Sequence, residues 1–212
     1  SFDLSLPLFT QVLTKHYTVR YSRRMNNRET ILENALILFA SFGYDATGVQ
    51  EICDESGVTK PTLYHYFRSK RGLMEALLTE NYTPYIKRLE DACAYRRDLP
   101  QNIAEVLRTT FRFAESNLLF YKLQFSMRNA PACGEAYDII KPWIRAQHAP
   151  IFALFTAAEQ DNGNMRGRAQ AYTITLLGMA NAYIQQAVEE ALALNDDLAY
   201  KARQQFMYGI YS

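Results

Sequence analysis

Apolar residues recur every three to four positions along most of the chain after residue 25. The first such series contains Ile31, Ala35, Leu38 and Phe42. This spacing predicts a helix of about four turns with one buried face, capped by Asn27 at its start and Gly43 at its end. No segment shows the strict alternation that indicates a half-buried strand. The pattern therefore predicts an all-α fold.

Two short helices joined by a turn at Gly57 are predicted next. The first begins at Thr47, where the Thr47 hydroxyl and the Gln50 side chain match a capping box. The second begins after Thr59, which is a suitable N-cap. Gly57 fits a turn whose backbone conformation would strain a side chain with a Cβ atom. Two such helices around a glycine-containing turn have the geometry of a helix-turn-helix.

The second short helix is rich in polar residues on its outer face, namely Thr59, Lys60, Thr62, Tyr64, His65 and Tyr66. Tyr64, His65 and Tyr66 are consecutive, so one helical face cannot bury all three. The window 57–71 has four basic and no acidic residues, although the whole chain has a net charge of only +1. These basic residues are Lys60, Arg68, Lys70 and Arg71. Such a local patch favours phosphate as a partner. The alternative is that the aromatic residues pack in a core and the basic run is a solvated face.

The remaining pattern predicts further helices. A fourth helix opens at Ser69, and Pro84 predicts a break or kink inside it. A helix from about 134 to 158 contains two more prolines. A polar, glycine-containing loop at 161–168 precedes two last helices, at about 166–194 and 196–211.

The segment from Arg28 to Leu77 resembles the N-terminal DNA-binding domain of TetR-family regulators. The resemblance rests on the strings ILENALILFASFGY, SGVTKPTLYHYF and SKRGL. It implies an all-helical homodimer of about nine helices, with a small-molecule effector bound in the C-terminal domain. It also implies dimerisation through the last two helices and release of a palindromic operator when the effector binds.

The resemblance assigns DNA contacts by position to Thr47, Gln50, Thr59, Lys60, Thr62, Tyr64, His65, Tyr66 and Lys70. Lys60 and Thr62 are expected to face bases, whereas Tyr64, Tyr66 and Lys70 are expected to hold phosphates. The chain then divides into three parts. Residues 1–24 are an extension or a basic arm beside the DNA, 25–75 the helix-turn-helix domain, and 76–212 the ligand-binding and dimerisation domain.

The middle helices are rich in aromatic residues, as ligand pockets commonly are. The candidate effector-binding residues are Phe111, Glu115, Tyr121, Phe125, Trp143, His148, Phe152 and Tyr172. Gln124 and Arg128 are further polar candidates. Taken singly, each polar candidate fits a surface or core position better than a ligand contact, and the sequence does not identify the effector. A regulator without a small-molecule effector is the alternative interpretation.

Other classes of protein find little support. The histidines His16, His65 and His148 lie far apart, and neither a nucleophile elbow nor a glycine-rich phosphate loop is present. We therefore expect no enzyme, no cofactor and no metal site. Three scattered cysteines predict reduced thiols rather than a disulfide framework. No apolar run approaches the ~20 residues of a membrane helix, so the cytoplasm is the expected location.

Overall fold

A computed structural model of the chain describes residues 26–190 and 192–209. The prediction for residues 1–24 lies outside these described residues. Within them the chain is all-α, with nine α-helices, one short 3₁₀ turn and no strand. The helices are α1 Asn27–Phe42, α2 Val49–Ser56, α3 Lys60–Phe67, α4 Lys70–Cys93, α5 Leu99–Ser116, α6 Leu118–Arg128, α7 Glu135–Ala158, α8 Ala169–Glu190 and α9 Asp196–Tyr208. The predicted fold class is confirmed.

The N-cap of the first helix lies one residue earlier than predicted. Asn26 rather than Asn27 is the N-cap: its side chain accepts a hydrogen bond from the Glu29 backbone N–H at 3.0 Å. The Glu29 carboxylate accepts one in return from the Asn26 N–H at 3.3 Å. Phe42 was expected in the buried face and is 62% exposed. It lies at the last position of α1, and Phe39, one residue after Leu38 and fully buried, takes its place.

The start of α2 also differs from the prediction. Its N-cap is Gly48, whose N–H donates to the Glu51 carboxylate at 3.5 Å. The Thr47 hydroxyl instead points back along the chain and donates to the Gly43 carbonyl oxygen at 2.8 Å. The predicted capping box of Thr47 and Gln50 is therefore wrong. Thr47 is buried and anchors the loop between α1 and α2.

The prolines do not interrupt their helices. The fourth helix runs unbroken through Pro84, and α7 does so through Pro142 and Pro150. A break at Pro84 is therefore excluded, and a kink there stays a prediction. Pro84 lies on the exposed side of α4, as does Glu80 one turn earlier. The Glu80 carbonyl that loses its N–H partner can therefore be satisfied by water.

One continuous core connects the helix-turn-helix to the rest of the chain. In the C-terminal part, α4 packs against α5 and α7, α8 packs against α7, and α9 packs against α5. The N-terminal α1 packs mainly against α6 and less against α4. The helix-turn-helix is therefore connected to the C-terminal half through the contact of α1 with α6 as well as through α4. None of the helices in the described ranges is both long and apolar enough to cross a membrane.

Candidate DNA-binding interface and effector site

Two short helices, α2 and α3, are held together by a few buried side chains. Ile52 and Cys53 of α2 and Leu63 and Phe67 of α3 are all buried. Gly57 at the end of α2 has φ +63°, a left-handed conformation that glycine adopts without strain. Thr59 caps α3 by accepting a hydrogen bond from the Thr62 N–H at 3.4 Å. The predicted helix-turn-helix geometry is confirmed.

The face of α3 opposite its buried leucine is open to solvent. Lys60, Tyr64, His65 and Tyr66 are exposed, and Thr62 is half-buried. Tyr64 and Tyr66 are 42% and 40% exposed, so the aromatic residues of this helix, Phe67 excepted, do not fill a core. The rings of His65 and Tyr66 meet edge to face at 5.3 Å. An α-helix with its side chains is about 10–12 Å in diameter, which fits the ~12 Å width of the DNA major groove.

The remaining predicted contacts flank this face. Gln50 is exposed on α2, and its amide donates to the Asp54 carboxylate at 2.7 Å. Lys70, the first residue of α4, donates to the Asp45 carbonyl oxygen at 3.3 Å, and its ammonium lies 4.4 Å from the centre of the Tyr44 ring. Thr47 is the exception, because its buried hydroxyl is already bonded to the Gly43 carbonyl.

The basic patch is smaller than the sequence indicates. Arg71 faces the C-terminal part of the chain, where it pairs with Asp138 at 2.9 Å and with Glu75 at 2.8 Å. These carboxylates offset its charge. Lys60, Arg68 and Lys70 remain as the cations beside the open face of α3, and Lys60 and Arg68 are exposed.

Comparisons with known proteins agree with this geometry. The profile of the family described as "Bacterial regulatory proteins, tetR family" matches residues 31–77, which cover α1 to α3 and the start of α4. Residues 31–77 therefore form a TetR-family DNA-binding domain. The chain is a DNA-binding transcriptional regulator.

Individual relatives extend the match beyond the DNA-binding part. The chain is 26% identical over 191 residues to the HTH-type transcriptional activator FasR of Mycolicibacterium smegmatis, covering 88% of this chain and 83% of FasR. It is 36% identical over 66 residues to the class A tetracycline repressor of transposon 1721 from Escherichia coli, covering 29% of this chain and 31% of the repressor. Several other curated relatives likewise match over about a third of their length.

The fold of the whole chain also has solved counterparts. The crystal structure of the transcriptional regulator FadR from Bacillus subtilis, in complex with stearoyl-CoA, superposes with a TM-score of 0.72. It covers 86% of this chain and 98% of FadR, at 19% sequence identity. At that identity the likeness establishes the TetR-family fold and does not specify the ligand.

Sequence reasoning missed a second contact between the N-terminal and C-terminal parts of the chain. The Tyr44 hydroxyl, in the loop after α1, donates to the Glu135 carboxylate at the start of α7 at 2.9 Å. Burial and then the bond to this carboxylate raise the pKa of Tyr44, so the phenol stays protonated. The two residues are 91 positions apart, so no local pattern could have indicated the pair.

The predicted effector residues do not form one site. Tyr121 is buried, and its ring centre lies 5.7 Å from that of Phe125. Trp143 stacks on Tyr82, with the ring centres 5.2 Å apart. Two further candidates pack elsewhere. Phe111 packs against Tyr183, and Tyr172 packs against Phe155 and Phe206.

The other three predicted effector residues lie at the surface. Glu115 is exposed. His148 and Phe152 stack on the outer face of α7, where they line a shallow groove of about 420 Å³ with Gln170 of α8. Within the described residues, no cluster of three or more histidine, cysteine or acidic side chains could hold a metal ion.

The interior between α4, α5, α6 and α7 instead holds a buried polar cluster. Its members are Tyr82, Tyr85, Thr110, Tyr121, Gln124, Arg128 and Gln147. All but Arg128 are almost fully buried, and Arg128 is half-buried. Tyr121, Gln124 and Arg128 are three of the effector-binding candidates predicted from the sequence. Their spacing of three and four residues places them on one face of α6, and this was the available signal that they act together.

Proposed function

We propose that this chain is a homodimeric repressor that binds a palindromic operator and leaves it when a small molecule binds its C-terminal domain. The observation that carries the DNA-binding part is the solvent-exposed face of α3, with Lys60 at its start and Tyr64, His65 and Tyr66 along it. Helix-turn-helix dimers bind two half-sites about 34–36 Å apart, one helical turn of DNA. Such a regulator would act in the cytoplasm, where its operator lies.

For the individual contacts we propose the following roles. Lys60 and Thr62 at the start of α3 read base edges, because the first turn of a recognition helix enters the groove. Tyr64, Tyr66 and Lys70 bind phosphates, with Gln50, Thr59 and His65 beside them. The division into 25–75 and 76–212 follows from these roles, although α4 spans the boundary.

The proposed dimer interface is the outer face of α8 together with α9. Ile174 is 57% exposed, and Gly178 and Ala182 follow it on the same side of the helix. A Cβ atom at Gly178 would meet nothing within 4 Å, so this side of α8 is flat and open. Tyr200 and Tyr208 add half-exposed aromatic surface on α9. A small-residue strip lets a second helix approach closely, and exposed apolar groups favour its burial.

The proposed response to a small-molecule effector has an alternative. The FadR structure that shares this fold is a complex with stearoyl-CoA, which supports a small-molecule effector for this chain. The alternative is a regulator without an effector. It is favoured by the dense packing of the same region here, where Tyr82, Tyr85 and Tyr121 are each at most 1% exposed.

Two measurements test the proposal. Sites selected from a random-sequence DNA library by the purified protein should be two-fold symmetric, and fluorescence anisotropy should show salt-dependent binding to them. In analytical ultracentrifugation the unmodified chain should be a dimer. Ala182→Glu should make it a monomer, whereas Ala153→Glu, at an exposed alanine on α7, should not. A monomeric unmodified chain, or selected sites without symmetry, would refute the homodimer.

A further inference from the structure

The buried polar cluster has hydrogen-bond donors left over. The Tyr82 hydroxyl donates to Gln124 Oε1, Arg128 Nη2 donates to Gln147 Oε1 at 2.5 Å, and Gln147 Nε2 donates to the Tyr85 hydroxyl at 3.0 Å. These bonds occupy the amide oxygens of both glutamines.

Three buried atoms of the cluster have no hydrogen-bond partner: Gln124 Nε2, Arg128 Nε and the Tyr121 hydroxyl. The Tyr121 hydroxyl lies beside that of Tyr85, without the geometry of a hydrogen bond. A buried donor without a partner is costly, so three of them on one helix face call for an acceptor.

The cluster also carries an uncompensated positive charge. Arg128 forms no ion pair among the described residues, and the groups around its guanidinium are Gln147 and the phenols of Tyr82, Tyr85 and Tyr121. Burial raises the pKa of Tyr82 to about 12 and raises that of Tyr121 as well, so both are neutral at pH 7. The C-terminal end of α6 offsets only part of the charge, because its dipole amounts to about half an elementary charge.

We infer that Tyr121, Gln124 and Arg128 bind the carboxylate of a small-molecule effector whose apolar or aromatic body lies against Tyr82, Phe120 and Trp143. All three unused groups can donate to an oxyanion, and a guanidinium is well suited to a carboxylate. The aromatic rings lie next to them, because Tyr82 contacts both Trp143 at 5.2 Å and Phe120 at 5.1 Å. The inference rests on the proposed effector response and specifies the chemical class of the effector.

The single tryptophan of the chain provides the assay. Trp143 stacks on Tyr82 within the proposed site, so its fluorescence reports binding there directly. The probes are two matched pairs, decanoate with decanamide and hydrocinnamate with hydrocinnamide, which differ only in the charge of the head group. We expect at least one acid to bind about tenfold more tightly than its amide, because charge-assisted hydrogen bonds are roughly twice as strong as neutral ones.

Two variants test whether the charge of Arg128 causes the preference for the acid over its amide. Arg128→Met keeps the length of the side chain and removes the charge, so the preference for the acid should disappear. Arg145→Met is the matched control on the exposed outer face of α7, and it should keep the preference. Circular dichroism and thermal melting establish that both variants fold. The comparison of acid with amide on the unmodified chain remains decisive should Arg128→Met fail to fold.

The outcomes separate this inference from the proposed function. Equal binding of acid and amide, no binding of either acid below about 1 mM, or a preference that follows Arg145 would overturn the carboxylate site. A chain that binds the acids but selects no DNA sequence from the library would refute the proposed repressor while leaving the carboxylate site intact. Release of the selected DNA by the tighter acid, lost in Arg128→Met, would support both.

Discussion

Replacement of Lys70 by alanine should change the salt dependence of DNA binding. Lys70 is the first residue of α4, and its ammonium is held over the Tyr44 ring at 4.4 Å, beside the open face of α3. This geometry fixes a positive charge next to the N–H groups that begin α4. A phosphate placed there would be bound by both.

The expected magnitude follows from counterion release. Each phosphate neutralised by a cationic side chain contributes about 0.9 to the slope of log K against log salt concentration. A dimer presents Lys70 twice, so Lys70→Ala should reduce the slope by about 1.8. Between 50 and 200 mM salt, the unmodified protein should therefore lose about twelvefold more affinity than the variant. The loss should be the same on selected and on scrambled DNA, because phosphates carry no sequence information.

The assay is fluorescence anisotropy with labelled duplexes over this range of salt concentration. Lys70→Arg retains the charge and should retain the slope, and Lys87→Ala, at an exposed lysine of α4 far from α3, should leave it unchanged. Lys60→Ala should instead weaken binding more on the selected site than on scrambled DNA, as expected for a base contact. An unchanged slope in Lys70→Ala would refute the phosphate contact. An equal loss on both DNAs in Lys60→Ala would refute base reading by Lys60.

Three further predictions concern stability and reactivity. Leu63→Ala, which truncates the fully buried leucine of α3, should lower the free energy of unfolding by about 2–5 kcal/mol in urea denaturation; a change near zero would show that α3 is not packed as described. Tyr44→Phe should cost about 1 kcal/mol in the same assay, because it removes one hydrogen bond to a partly exposed carboxylate; no loss would mean that the bond to α7 contributes nothing. Ellman's reagent should modify exposed Cys133 rapidly in the native protein and reach the other two cysteines only after denaturation, since burial raises the pKa of both thiols; fast modification of all three would contradict their burial.

The helix-turn-helix was predictable because its signals are local. The turn after α2 requires a left-handed backbone, which Gly57 adopts without strain. Thr59 and Ser69 are N-caps, and the buried Leu63 and Phe67 lie one helical turn apart. Each of these depends on neighbours within five residues. The predicted capping box of Thr47 was wrong because a threonine hydroxyl has two local options. It can accept from an N–H later in the chain or donate to a carbonyl earlier in it, and the sequence fits both.

The contacts between distant helices were not predictable in this way. The Tyr44–Glu135 bond and the ion pair of Arg71 with Asp138 depend on how α7 lies against the N-terminal helices. The same is true of the effector candidates, since aromatic residues at helical spacing fill cores and line pockets with equal ease. Only three-dimensional packing separates buried Tyr121 from Phe152, which is 40% exposed.

The position of α6 gives a physical route from the proposed effector site to the DNA-binding surface. One face of α6 carries Tyr121, Gln124 and Arg128 into the C-terminal interior, and the same helix packs against α1, which supports α2 and α3. A carboxylate drawing these three side chains together would shift α6, and α1 would have to follow because their contact is part of one continuous core. Glu135, seven residues after Arg128, accepts a hydrogen bond from Tyr44 in the loop that follows α1. Effector binding at the proposed site would therefore reach the DNA-binding surface through the contacts of α1 and of the loop after it, in addition to α4. A variant that removes only one of these contacts should weaken the response to the effector without abolishing it.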